Sequence, residues 1–253
     1  MSSRSGLIAV VAILGLFSLS SVGQAAARQA AQPLAGRTIT LDPGHNGGNA
    51  TNLPITNRLV YAGYGLYKPC NSVGTSTNDG YSEHAFAWDV ARRTAALLRA
   101  RGAKVVLTRR SDTGVGPCIN ARARLANRAV SDAVVSIHGD GSTTRGARGF
   151  HVIAPVSPPV TTAVRTRSDR LARALRSSFR TATGMPYANY RAGGDGLDAR
   201  RDLGGLNLST RPVVFIECGN MRNSRDATIM TTPTGRQRMA SGIARGIADY
   251  LNH

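Results

Sequence analysis

Leu41-Asp42-Pro43-Gly44-His45-Asn46-Gly47-Gly48 follows directly on Arg37-Thr38-Ile39-Thr40. The β-branched run reads as a strand, and Pro43 and Gly44 stop it and force a turn, so His45 is delivered at a strand's C-terminal end. In open α/β sheets ligands collect at that edge, where loops converge over strands that hold their bases fixed. Two later stretches repeat the design. Ala133-Val134-Val135-Ser136-Ile137-His138-Gly139-Asp140-Gly141 is an apolar run ending in histidine and glycine, and Val213-Val214-Phe215-Ile216-Glu217-Cys218-Gly219 is one ending in glutamate and glycine. Three polar groups at the same relative place predict one shared site.

Working outward, Ser82 is placed to N-cap a helix from Glu83 to Arg101, with Gly102 as its stop. Ala87, Val90, Ala91, Thr94, Leu97 and Leu98 recur at helical spacing and define its buried stripe. Glu83 stands on that stripe, and His84 is a rival for the same inward position. Lys104-Val105-Val106-Leu107-Thr108 reads as a strand, 119–130 as a helix, and Gly149-Phe150-His151-Val152-Ile153-Ala154 as a strand with His151 as a structural histidine. A long helix ends near Thr183 before Gly184. The glycine-rich segment 191–211 reads as a cleft-lining loop leading into a short edge strand, and two closing helices follow Asn223. This alternation predicts one α/β domain, a mainly parallel or mixed twisted sheet of about six strands with helices on both faces. The segment 46–82 is too long for a plain loop and reads as a flap, with Leu59-Val60-Tyr61 and Gly65-Leu66-Tyr67 as ribs of a hairpin beside His45.

The first residues carry Arg4, an apolar run from Leu7 to Val22 and the small residues Ala25-Ala26-Ala27. This pattern predicts a signal peptide over 1–27, a linker over 28–36 and a catalytic domain over 37–253, in a secreted, periplasmic or wall-associated protein. An uncleaved anchor is the rival reading; after leader removal no stable membrane association is expected. The formal charge of +18 rests almost wholly on arginine, since Lys68 and Lys104 are the only lysines. Such a chain is drawn to polyanions, a cell wall included, whereas no nucleic-acid motif is present and no such partner is expected. Of three cysteines, Cys70 and Cys118 lie in irregular segments that a disulfide would fix, and Cys218 reads as a reduced core thiol.

His45, Glu83 and His138 form a plausible three-point ligand set for zinc, with Glu217 fitting as general base. Glu83 and Glu217 are the only glutamates in the chain, one at a helix start on the buried stripe and one at a buried strand's end. Glutamate placed for solubility would sit on exposed helices instead.

Leu41-Asp42-Pro43-Gly44-His45, Glu83 opening a helix, Ser136-Ile137-His138-Gly139-Asp140 and Glu217-Cys218-Gly219-Asn220 resemble the zinc-dependent N-acetylmuramoyl-L-alanine amidases with the type-3 amidase domain. Thr108-Arg109 with Asp112, and Arg122 with Asn127, fit the same pattern. The flap with Cys70 and the Gly205-Leu206-Asn207-Leu208 segment are most similar to the single-domain mycobacterial members. The resemblance implies one Zn²⁺ per chain held by His45, Glu83 and His138, which selects Glu83 over His84. It also implies Glu217 in catalysis and cleavage of the bond joining muramic acid's lactyl group to L-alanine in peptidoglycan or muropeptide fragments. Asn46, Arg109, Asp195, Arg201 and Asn220 are candidate substrate contacts, and a monomer is expected. The alternatives are a zinc peptidase acting elsewhere on the stem peptide and a non-catalytic cationic wall-binding protein.

Overall fold

The structure is a computed structural model and describes residues 32–253. The expected signal peptide and the first four residues of the linker lie outside the described residues. In chain order the elements are β1 (Thr38–Pro43), α1 (Leu53–Thr56), β2 (Leu59–Tyr61), β3 (Tyr67–Pro69), α2 (Glu83–Ala100), β4 (Lys104–Leu107), α3 (Ile119–Arg128), β5 (Ala133–Asp140), β6 (His151–Pro155), α4 (Thr162–Thr183), β7 (Leu197–Arg200), α5 (Gly204–Asn207), β8 (Val213–Asn220), α6 (Ser224–Thr231) and α7 (Pro233–Asn252).

Six strands form one mixed sheet in the order β4-β1-β5-β8-β6-β7. The first four run parallel; β6 is antiparallel to β8, and β7 follows β6. Strand residues alternate between two faces. Ile39, Leu41, Val135, Ile137, Val214 and Ile216 enter the larger core, which α2, α4 and α7 cover. Val134, Ile153, Val213 and Phe215 enter a smaller one with Ala126 of α3 and Leu206 of α5. The long helices pack closely because α7 carries glycines at the crossing: a Cβ on Gly246 would lie 2.7 Å from the Leu175 Cα. Helices on both faces, as expected, thus means three long ones on one side and two short ones on the other.

Because β1, β5 and β8 are parallel, their C-terminal ends share one edge. Register sets Asp42 beside Ser136 and Ser136 beside Phe215; one row further, His138 lies beside Glu217. By alternation these residues all belong to the thinly covered face, which leaves room for a cleft.

The flap hairpin pairs Leu59 with Pro69 and Tyr61 with Tyr67. Its second rib therefore starts two residues later than the sequence suggested. Gly63 and Gly65 adopt φ of 84° and 73° and Tyr64 55°, so Gly65 belongs to the turn. The ribs bury little, with Leu59, Tyr61, Tyr67 and Pro69 all exposed, and the flap is tied down covalently by Cys70–Cys118 across 48 residues. Closing such a loop stabilises by about 4 kcal/mol from chain entropy alone. The double variant Cys70→Ser/Cys118→Ser is accordingly expected to melt well below the parent in thermal denaturation; coincident melting curves would refute the staple's role. Ser82 occupies the N-cap position of α2, yet its hydroxyl makes no capping bond, and the Glu83 amide donates to the Thr75 carbonyl at 2.9 Å instead.

Candidate metal centre and cleft

The turn Pro43-Gly44-His45 is gripped by two buried arginines. Arg122 donates from Nη1 to the Pro43 carbonyl at 2.7 Å and from Nη2 to the His45 carbonyl at 2.8 Å, and Arg109 donates from Nε to the Pro43 carbonyl at 3.1 Å. This grip holds His45 at φ 58°, a left-handed conformation that costs a non-glycine residue roughly 1–2 kcal/mol. His45 Nδ1 then lies 2.9 Å from the Ser72 carbonyl, which can only accept. With the hydrogen on Nδ1, Nε2 presents its lone pair to the cleft floor.

Glu83, 4% exposed, joins the elements. Its Oε1 lies 2.9 Å from His45 Nε2, 2.8 Å from His138 Nδ1 and 3.2 Å from the Gly139 amide, while Oε2 accepts from the Thr75 amide at 2.9 Å. Burial alone would raise its pKa, but the two imidazoles outweigh it and hold the carboxyl far below its usual range. Burial likewise disfavours charge on His45, and the Glu83 carboxylate more than offsets it, raising the His45 pKa. One donor atom from each of His45, Glu83 and His138 lies within 4.8 Å of the others, so the three could hold a metal ion. Two imidazole nitrogens and one carboxylate oxygen are a donor set suited to a divalent transition ion with an open position.

His138 is aimed from behind. Its Nε2 is 3.2 Å from Ser136 Oγ, which donates to Asp42 Oδ2 at 2.7 Å, and Asp42 Oδ1 accepts from Arg122 Nη1 at 2.9 Å and from Thr108 Oγ1. Gly44 completes the seat, since a Cβ there would collide with the His138 ring. Burial raises the Asp42 pKa, but the Arg122 charge and the hydroxyl donors overcome it and lower the value to about 2. The unfolded carboxyl titrates near ~3.9, so the ionised form stabilises the fold above that pH by roughly 2 kcal/mol, and this is lost as pH falls through about 2. Asp42→Asn should therefore flatten the acid side of the stability profile in denaturant titrations; an unchanged slope across that window would contradict this account.

Glu217 faces the cluster from β8, in register with His138 on one side and His151 on the other. Its Oε2 is buried and has no hydrogen-bond partner. Burial pushes its pKa up to about 8; His138 pulls the other way, and the charges of Glu83 and Asp140 add to the rise. These four side chains share a cleft of about 600 Å³, walled by the flap from Lys68 to Thr75 and by Arg200 with Leu203 to Gly205.

His84 is drawn off to Asp112, Nδ1 to Oδ2 at 2.8 Å, and Arg109 holds the other Asp112 oxygen at 2.8 Å. His151 is buried as a structural histidine, although its place beside Glu217 was not foreseen. Cys218 faces the larger core, unpaired, its thiol pKa pushed up chiefly by burial.

The structure places the candidate substrate contacts off the cleft lining. Asn46 is buried and donates to the Thr113 and Gly114 carbonyls, Arg109 is spent on the His45 turn, and buried Asn220 donates to the Ser142 and Ala147 carbonyls at 2.9 Å. All three saturate backbone rather than face the cleft. Asp195 and Arg201 are exposed and stand outside its lining, whereas Arg200, one residue away from Arg201, is on it. The Asp42-Ser136-Arg122 support escaped sequence reading as a unit, though each member stood in or beside a quoted motif.

The type-3 amidase family, described as N-acetylmuramoyl-L-alanine amidase, matches residues 39–249. An N-acetylmuramoyl-L-alanine amidase of Mycobacterium tuberculosis is 42% identical over 218 residues, covering 86% of this chain and 88% of that protein. The crystal structure of the N-acetylmuramyl-L-alanine amidase of Mycobacterium smegmatis superposes with a TM-score of 0.81 at 41% identity, covering 87% of this chain and 98% of that one. The apo enzyme of Mycobacterium abscessus gives 0.80 at 41% identity, covering 86% and 100%.

Proposed function

The chain belongs to the N-acetylmuramoyl-L-alanine amidase family, and from that premise we propose that it is an exported, monomeric zinc enzyme that hydrolyses the amide between the lactyl group of N-acetylmuramic acid and L-alanine in peptidoglycan. The observation that carries this reading is the convergence of His45 Nε2 and His138 Nδ1 on one oxygen of Glu83, with the half-buried Glu217 carboxylate beside His138. Bound by those three residues, zinc supplies Lewis-acid polarisation of the amide carbonyl and acidifies water.

The remaining work falls to side chains of the chain. Glu217 takes a proton from the attacking water at its unpartnered Oε2 and delivers it to the nitrogen of the departing L-alanine. In the metal-free chain burial lifts the Glu217 pKa above the ordinary carboxyl range, and a carboxyl tuned upward in this way is better matched to giving back the proton it has taken. His45 and His138 stay aimed through Ser72 and Ser136, so the site needs little reorganisation during the reaction. The products are a free lactyl carboxylate and a peptide with a new L-alanine amino terminus. Among the described residues no helix is long and apolar enough to cross a membrane.

Digestion of purified muropeptides with products identified by mass is the test. Disaccharide and intact stem peptide are expected as separate products, with release abolished by a chelator and restored by zinc. Cleavage inside the stem peptide, or undiminished activity after chelation, would overturn the proposal.

A further inference from the structure

The sheet has a second edge. Since β1, β5 and β8 run parallel, the residues entering them gather opposite the cleft: Arg37 before β1, Asp132 before β5 and Arg211 before β8. Arg167 and Arg170 from α4 join them, with Tyr250 of α7, around a pocket of about 220 Å³. We infer that this pocket is an anion site for the phosphodiester groups of a wall-attached polymer.

Four guanidinium groups share this space with a single acidic side chain, Asp132. That carboxylate is already engaged, one oxygen accepting from the Thr38 amide at 2.8 Å and the other 3.6 Å from Arg37 Nη1. Among the described residues no carboxylate pairs with Arg167, Arg170 or Arg211, although the terminal residue His253 also lines the pocket, and like charges held together repel unless an anion enters. Two of those arginines are positioned rather than loose: Arg211 donates from Nε to the Ser131 carbonyl at 2.6 Å, and the Arg170 guanidinium lies 5.8 Å from the centre of the Tyr250 ring. Each arginine has five N–H donors, so these contacts leave most of them for a ligand. A planar carboxylate satisfies one guanidinium; a tetrahedral phosphate offers oxygens in several directions and matches donors arriving from two strand entries and a helix.

The location matters as much as the chemistry. The eight residues of β5 span about 26 Å, so an anion at this edge does not compete for the cleft at the other. A wall polymer could retain the enzyme while the cleft engages a neighbouring stem peptide. The choice of a wall polymer over another phosphodiester rests on the amidase reading; the pocket itself does not.

The experiment compares binding of the full disulfide-linked chain to purified sacculi before and after hydrofluoric acid removes phosphodiester-linked polymers. Arg167→Glu/Arg170→Glu alters two exposed positions of the pocket, and Arg92→Glu/Arg225→Glu makes the same charge change at exposed positions outside it. The pocket variant is expected to bind intact sacculi about ten-fold more weakly, to match the parent on stripped sacculi, and to cleave soluble muropeptides at the parental rate. The control should lose less than about two-fold. Equal losses in both variants, or equal parental binding to intact and stripped walls, would overturn the site. Tighter, pocket-dependent binding to phosphatidylglycerol vesicles than to sacculi would overturn the wall polymer as its ligand. Failure of the parent to cleave muropeptides would count against the amidase reading alone, because the pocket is read by binding.

Discussion

Glu217→Ala is expected to keep its metal and lose roughly 10²- to 10⁴-fold in turnover. The side chain stands beside His138 in register but makes no hydrogen bond to His45, Glu83 or His138, so the donor set stays intact without it. What disappears is the proton's way station between water and leaving nitrogen. The same change should raise the thermal stability of the metal-free protein at neutral pH. A half-buried carboxyl with its pKa pushed up to about 8 is held against its tendency to ionise, and its removal relieves that cost. Metal content by elemental mass spectrometry, turnover on muropeptides and a melting curve read the three effects separately. A variant that lost its metal, or kept parental turnover, would remove Glu217 from the role of base.

His45→Ala should lose both metal and activity. His45 contributes one of three donor atoms, and among the described residues no other imidazole joins that cluster; Glu83's neighbour in sequence, His84, is committed to Asp112. The loss of metal affinity should exceed the ~10- to 100-fold typical when only a residue behind a ligand is removed. Competition with a chromogenic chelator measures it. The matched variant His84→Ala should retain parental affinity, and the opposite ranking of the two would reverse the assignment of ligands.

Much of this site could be read from the chain because its parts sit at strand ends. Apolar runs stopped by proline or glycine announce where a strand finishes, and His45, His138 and Glu217 occupy those stops. Glu83 lay on a recognisable buried stripe, but a one-residue step around a helix could not separate it from His84. The residue that decides, Asp112, is distant in sequence and meets His84 only in the folded chain. The support behind His138 was hidden for a related reason: Asp42 reaches Ser136 through the register of β1 against β5, which no local pattern encodes. Asn46 and Asn220 show what sequence leaves open, since a polar residue next to a strand end can serve either a substrate or an unpaired carbonyl. Only burial tells which, and both proved to serve the backbone.

Cys118 is the last residue before α3, and Arg122, whose guanidinium clamps the His45 carbonyl, stands one helical turn beyond it. The covalent tie to the flap and the hydrogen-bonded clamp on the His45 turn therefore share a single short lever. Reduction of the sulfur pair would slacken that lever at its root and be felt at an imidazole that neither sulfur touches. The sulfur pair thereby braces the root of the helix whose Arg122 aims His45, in addition to holding the flap in place.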